Sequence, residues 1–355
     1  MTENKEKTGE NKLRAIDLRR LIFDMSNELS ERSENIIIKR FNLDGKGVQT
    51  LNKIGEEYGI TRERVRQIES ESIKSLRRIG KKYDINLVFD GVRKTIEDHG
   101  GLMSEKEITL YLFNEESHDN INKQISLLIL SLDDRIKVAR ETDDYNRIYF
   151  YKKEDFEKFK KIITILEKHL IKNKESLDLE KILVLLKNEN FSYLSEKSIE
   201  SYLKSNKIIL QSVIGEWGHQ EWPHINPKSI RDKAYLTLRK NKDHLHFVEI
   251  ANGINEIWKN GKKANNQTVH NELIKDRRFV LVGRGIYALK EWGYKTGTVL
   301  DVLLEVFNAD SKEIKQDRIV EKVLEKRKVK KNTVILNLQN KKYFEKLTNK
   351  VYRMK

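Results

Sequence analysis

The sequence predicts a mainly α-helical protein with small β-wings, and three observations carry that prediction. Only two prolines, Pro223 and Pro227, fall within 355 residues, so helices meet few breakers. Between Thr50 and Ile79 two amphipathic helical patterns are joined by a tight Gly-Ile-Thr turn. Farther along, a pattern of capped helix, strand, turn and strand recurs.

Composition bounds the function. Lys and Arg number 70 against 55 Asp and Glu, a net charge of +15, which points to a polyanionic partner such as nucleic acid. Residues 311–355 hold 15 Lys or Arg and 5 Asp or Glu, so +10 of the surplus lies in this tail. With no Cys, disulfides, thiolate zinc sites and a Cys nucleophile are excluded. The opening MTENKEKTGENK has no apolar core, so it is not a secretory signal, and no apolar run reaches the roughly 18 residues of a membrane span. A cytoplasmic protein without a membrane partner is expected.

The first patterned element is TLNKIGEEYGITRERVRQIE. Thr50 is an N-cap, Leu51, Ile54 and Tyr58 give one apolar face, and Gly59 suits the left-handed residue that ends a helix. Ile60 plugs the turn and Thr61 caps a second helix. This is a helix-turn-helix, whose second helix enters the major groove. At about 100° per residue, Val65, Ile68, Ser72, Leu76 and Ile79 gather on the core side. Arg62, Glu63, Arg66 and Gln67 share a separate arc. Arg can donate twice to guanine, Gln can pair with adenine and Glu can accept from cytosine, so these four are the candidate base contacts. Thr61, Lys74, Arg77 and Arg78 are candidates for phosphates. A merely solvated charged face is the competing reading.

Residues 30–78 resemble the fourth conserved region of the sigma-70 family. The likeness rests on Glu31-Arg32, Arg40-Phe41, Leu43-Asp44-Gly45, Thr50-Leu51, Ile54-Gly55 and Thr61 through Glu69. The resemblance implies reading of the −35 promoter element and contact with the RNA polymerase beta-flap. Residues 1–29 contain no Trp or Tyr and one Phe, Phe23, so an aromatic-rich promoter-opening module is not expected ahead of this head.

Beyond Lys82 the repeat appears. QTVHNELIKDRRFVLVGRGIYALK and NTVILNLQNKKYFEKLTNKVYRMK align without gaps at an offset of 65, matching Thr268 with Thr333, Val269 with Val334, Leu273 with Leu338, Phe279 with Phe344 and Tyr287 with Tyr352. At an offset of 70 in the other direction, Ser198, Ile199, Leu203, Ile209 and Trp217 take the same places. A looser copy spans Ile85 to Lys153, with helices near Val88–His99, Glu105–Phe113 and Asn120–Leu132, strands Ile136–Arg140 and Arg147–Tyr151, and a turn at Asp143-Asp144. Each copy reads as a winged helix. The expected divisions are 1–29 (polar segment and lead helix), 30–82 (helix-turn-helix), 83–153, 154–226, 227–293 and 294–355 (winged helices).

The 227–293 unit resembles the HARE-HTH family through His246–Ile250, Thr268-Val269-His270 and Phe279–Leu289. That resemblance implies an accessory DNA- or polymerase-binding module. Arg284, between Gly283 and Gly285, is expected at a wing tip, where glycines permit positive backbone angles and an Arg can enter a narrow minor groove. In the last unit Lys330, Lys331, Lys341, Lys342 and Lys350 are candidates for phosphate contacts without sequence preference.

His219, His224, His244 and His246 lack zinc spacing, and DGKGVQT lacks the spacing of a phosphate-binding loop. Trp217, Trp222, Trp258 and Trp292 read as packing residues before stacking platforms. Neither Pro precedes an Asp, and no nucleophile–base pair stands out, so no catalytic residue, metal or cofactor is expected. The sequence therefore points to a sequence-specific, sigma-related regulator of transcription that binds double-stranded DNA and RNA polymerase core. Two other readings stay open: a DNA-binding subunit of a restriction or defence system, and a nucleoid-type architectural protein. Oligomeric state is not fixed by the sequence.

Overall fold

The computed structural model describes residues 16–114, 120–259, 261–294, 297–309, 313–327, 329–347 and 350–355. The MTENKEKTGENK segment, and positions 348–349 within the last expected hairpin, lie outside them. The protein is mainly helical with small antiparallel sheets, a helix-turn-helix fold with β-wings, and divides into two bodies, Met1–Leu210 and Gln211–Lys355.

The first body begins with α1 (Leu18–Ser26), α2 (Glu31–Arg40), α3 (Leu51–Tyr58) and α4 (Arg62–Gly80). Thr50 and Thr61 cap α3 and α4, their hydroxyls accepting from the Lys53 and Arg64 amides at 3.2 Å each. Gly59 is left-handed (φ +64°), and the Ile60 amide returns to the Gly55 carbonyl at 2.9 Å. A Cβ on Gly55 would lie 2.6 Å from the Ile60 carbonyl oxygen, so the turn closes only over glycine. Ile36, Ile54, Val65 and Ile68 form a small buried core beneath this turn.

The far half of α4 leaves that core for a larger one. Leu76 is buried with Leu18, Ile22, Met25, Ile85, Val88, Phe89, Ile125, Leu128, Ile129 and Leu132. Each such side chain contributes about 1.5–3 kcal/mol by burial. The core therefore runs without interruption past residue 82, where the sequence suggests a division.

Next come α5 (Ile85–Asp98), β1 (Leu102–Ser104), α6 (Glu105–Phe113), α7 (Asn120–Leu132), β2 (Lys137–Ala139) and β3 (Ile148–Phe150), with strand order β1-β3-β2. The three helices match those expected from the sequence to within a few residues at their ends. β1 was not foreseen; at three residues it gives no period of its own. Then follow α8 (Lys153–Asn173), α9 (Leu179–Asn188) and α10 (Glu196–Ser205), with β4 (Ile209–Gln211) at the limit of the body. α10 packs close to the backbone before β1: the Tyr202 hydroxyl donates to the Gly100 carbonyl at 2.6 Å and the Ser201 hydroxyl to the Leu102 carbonyl at 3.2 Å. A Cβ on Gly100 (φ +83°) would come within 2.7 Å of the Ser198 Cβ.

The second body holds β5 (Trp217–His219) and two units of one topology. The first is α11 (Ile230–Asn241), β6 (Leu245–His246), α12 (Phe247–Ile257), α13 (Asn266–Lys275), β7 (Phe279–Gly283) and β8 (Ile286–Leu289). The second is α14 (Val299–Ala309), β9 (Glu313–Lys315), α15 (Gln316–Lys326), α16 (Lys331–Leu338), β10 (Phe344–Lys346) and β11 (Val351–Met354). Their strand orders, β6-β8-β7 and β9-β11-β10, repeat the pattern of the first body. The repeat positions Val269, Leu273, Phe279 and Tyr287 are buried, as are Val334, Leu338, Phe344 and Tyr352. Buried Arg327 joins the two units, donating to the Leu281 carbonyl at 3.2 Å and to that of Gly297. No helix among the described residues is long and apolar enough to cross a membrane.

Candidate nucleic-acid interface

The first two turns of α4 separate two faces. Val65 and Ile68 are buried, while Arg62, Glu63, Arg64, Arg66 and Gln67 are exposed. Arg66 grips Glu63 with two hydrogen bonds, Nε to Oε2 at 2.9 Å and Nη2 to Oε1 at 2.6 Å. Those hydrogen bonds from Arg66 hold the Glu63 carboxyl below its usual range. One turn over, Arg64 donates to the Gln67 side chain at 3.1 Å. Such solvent-exposed pairs are weak and exchange easily. The face thus offers a planar fork, a carboxylate and an amide on one helix, the donor and acceptor types that base edges take.

The other sequence-named residues of the head divide. Lys74 is exposed, and exposed Arg78 touches only the Ser75 hydroxyl of its own helix, at 3.2 Å, among its described contacts. The Thr61 hydroxyl is held at the helix start by its capping bond. Arg77 turns the other way: half-buried, it donates to the carbonyls of Leu132 at 2.6 Å and Ser131 at 3.2 Å and to Asp134 at 3.2 Å. A phosphate would have to compete with all three acceptors.

Two residues that the sequence named only within the family likeness, without a role of their own, matter here. Arg64 sits exposed beside Gln67 on the outer face of α4. Arg40 donates to the Gln49 carbonyl at 2.7 Å and to Glu69 at 3.3 Å, fastening the loop before α3 to the side of α4. Its position at the end of α2, just before the glycine-bearing Leu43–Gln49 stretch, was the available signal.

With this geometry the comparison with known proteins is specific to the head. Residues 27–78 match the family described as Sigma-70, region 4. The RNA polymerase sigma factors SigA of a Bacillus species and of Lactococcus lactis subsp. cremoris are each 42% identical over 60 residues. That stretch is 17% of this chain and 16% of each relative, so the chain spans about a sixth of the length of the curated relatives it matches. The family match covers α2, α3 and all but the last two residues of α4.

Behind the region 4 head, the helices that precede the wings differ in what they expose. α7 buries Asn122, Ile125, Ser126, Leu128 and Ile129, and α10 buries Ser198, Ser201, Tyr202 and Ser205. The β2–β3 connection is fastened as well: the Asn146 amide donates to the Ser205 carbonyl at 2.9 Å and the Lys207 amide to the Asp144 carbonyl at 2.7 Å. The acidic Asp143-Asp144 turn is thereby an internal joint.

In the second body Arg284 is exposed at the turn between β7 and β8. Gly285 takes a positive φ (+70°) and Gly283 does not, and the register of the hairpin shifts between Leu281 and Gly283. Lys330, Lys331, Lys341, Lys342 and Lys350 are all exposed. Lys331 faces Asp317 at 3.5 Å, and the Lys342 ammonium lies 5.3 Å from the Tyr343 ring centroid. His246 caps α12, His224 stacks on Trp222 at 5.3 Å, and Trp217 is buried. Among the described residues, no group of three or more His, Asp or Glu is placed to hold a metal ion.

Proposed function

We propose that this chain is a sequence-specific, double-stranded-DNA-binding regulator of transcription, related to sigma factors, that reads a −35-like element through α4. The observation that carries the reading is the match of residues 27–78 to region 4 together with an exposed Arg62, Glu63, Arg66 and Gln67 face. Those four contact bases, while Lys74 and Arg78 neutralise flanking phosphates and the Thr61 hydroxyl donates a hydrogen bond to one. Arg284 and the lysines at 330, 331, 341, 342 and 350 add backbone contacts, and several weak duplex modules on one chain raise affinity through effective concentration. No residue acts as a catalyst.

RNA polymerase core, through its beta-flap, is the proposed protein partner, since both relatives are RNA polymerase sigma factors. Purified core RNA polymerase and the full chain test this directly. Co-elution of the two on size-exclusion chromatography supports the proposal, and separate elution at micromolar concentrations removes the polymerase half of it.

One observation favours a second reading. The +10 of residues 311–355 suits a chain that coats DNA without regard to sequence. Steep salt dependence with equal affinity for all duplexes identifies that behaviour.

A further inference from the structure

We propose that α13 is a second base-reading helix, directed at A·T base pairs in the major groove. The proposal rests on the chain being a duplex binder, and not on which element the region 4 head reads.

The helix before each wing pair differs between the copies of this chain in what it exposes. α7 buries Asn122 and Ser126, and α10 buries Ser198, Ser201 and Ser205. α16 with its C-cap exposes Asn332, Leu336 (65%) and Gln339 at the places of Gln267, Asn271 and Ile274 on α13, with the apolar group in the middle of its stripe and no amide beside another. On α13, Gln267, Asn271 and Ile274 are exposed at spacings of four and three residues, so they form one stripe along the helix. The Gln267 amide donates to the Asn271 side-chain oxygen at 3.2 Å, which places the two amides side by side. Gln and Asn are the side chains that pair with adenine N6 and N7, and an apolar side chain contacts the thymine methyl. Ile274 is 64% exposed, an apolar group that no contact within its unit explains.

The stripe is rigid and lies in a positive field. Val269 and Leu273 anchor the opposite face in the unit's core, and the Asn265 side chain caps the helix by accepting from the Gln267 amide at 2.8 Å. Just upstream, Asn255 clamps Ala264 with two hydrogen bonds, of 2.7 and 3.1 Å, which fixes the strand of chain carrying exposed Lys262 and Lys263. Exposed Lys275 and Arg277 stand at the other end. The nearby acids are already engaged: Glu272 pairs with Arg231 at 3.2 Å and Asp276 with Arg278 at 2.6 Å. Two amides, an isoleucine and flanking cations fit a duplex with adenine and thymine at its centre.

The test uses the full chain with Arg62→Ala and Arg66→Ala, so that the head is silent, and selects binders from a pool of randomised duplexes. An A·T-containing motif should be enriched. Adding Gln267→Ala and Asn271→Ala should abolish the enrichment and weaken binding to the selected duplex about tenfold or more, with an unchanged thermal melt because both residues are exposed. Replacing thymine by uracil in that duplex should weaken the head-silent chain but not its Ile274→Ala variant. No enrichment with α13 intact, or the same enrichment after both amides are removed, overturns the proposal. Enrichment of a −35-like element by the head-silent chain would instead count against the reading of the head.

Discussion

Arg77 donates to the carbonyl of Leu132 at 2.6 Å, so the helix that carries exposed Arg62, Glu63, Arg66 and Gln67 is fastened to the last turn of α7. The same guanidinium reaches Ser131 and Asp134. Cations at a helix C-terminus satisfy carbonyls that the helix itself leaves without donors. The head is thus an extension of the unit behind it, held by this side chain and by the core around Leu76.

Arg77→Ala should therefore lower stability by about 1–3 kcal/mol, the cost of leaving partly buried acceptors unpaired. Arg77→Lys should recover only part, because an ammonium cannot span three acceptors as a planar fork does. Urea unfolding followed by circular dichroism reads the difference. A loss of DNA affinity with unchanged stability would assign Arg77 to phosphate instead.

Gly55→Ala should open the turn of the helix-turn-helix. Its new Cβ would meet the Ile60 carbonyl oxygen, a backbone atom that cannot swing aside. Overpacking of this kind costs about 1–3 kcal/mol. The variant should lose both stability and affinity for −35-like DNA, measured by thermal melting and fluorescence anisotropy. Wild-type behaviour in both would show that the turn is looser than described.

Asp133 supplies a pH signature. Burial pushes its carboxyl up, but hydrogen bonds from the Arg135 side chain and amide, at 2.8 to 3.0 Å, and from the Tyr151 hydroxyl, at 3.0 Å, outweigh burial and hold it below its usual value. A depressed carboxyl stabilises the fold above its unfolded value, about 3.9, and that contribution is lost as pH falls through the folded one. Asp133→Asn should cost about 1–3 kcal/mol at neutral pH. The gap from wild type should close below about pH 4. A gap that stays constant down to acid pH would contradict the assignment.

Much of this fold was legible because its signals are local. Thr50, Gly59 and Thr61 are capping chemistry, and the structure uses each as such. The offset of 65 was readable because Val269, Leu273, Phe279 and Tyr287 and their counterparts all point into cores. What sequence could not show was partnership across distance. Arg77 has the same spacing as a phosphate-binding residue, and only the packing of α7 beside α4 reveals its acceptors. The amphipathic pattern of α10 likewise fits an open recognition helix, yet Ser201 donates to the Leu102 carbonyl and, with Ser205, to the Glu107 carboxylate, while the Tyr202 hydroxyl donates to the Gly100 carbonyl. Arg284 was placed at a hairpin, but the register shift between Leu281 and Gly283 left no mark in the sequence.

Lys74 separates positioning from reading. Exposed on α4 beyond the base-facing turns, it should contribute affinity equally on all duplexes. Lys74→Ala should lower the slope of log affinity against log salt by about 1 and leave the ratio between matched and scrambled DNA unchanged. A changed ratio would move Lys74 into the base-reading set.

The central claim is that the Arg62, Glu63, Arg66 and Gln67 face reads a −35-like sequence. Footprinting of the full chain on a −35-like duplex and on a scrambled duplex of equal length tests it most directly. Protection should centre on the −35-like hexamer, be at least tenfold weaker on the scrambled duplex, and vanish at the hexamer for Arg62→Ala with Arg66→Ala. Equal protection of both duplexes by the wild-type chain would contradict the claim.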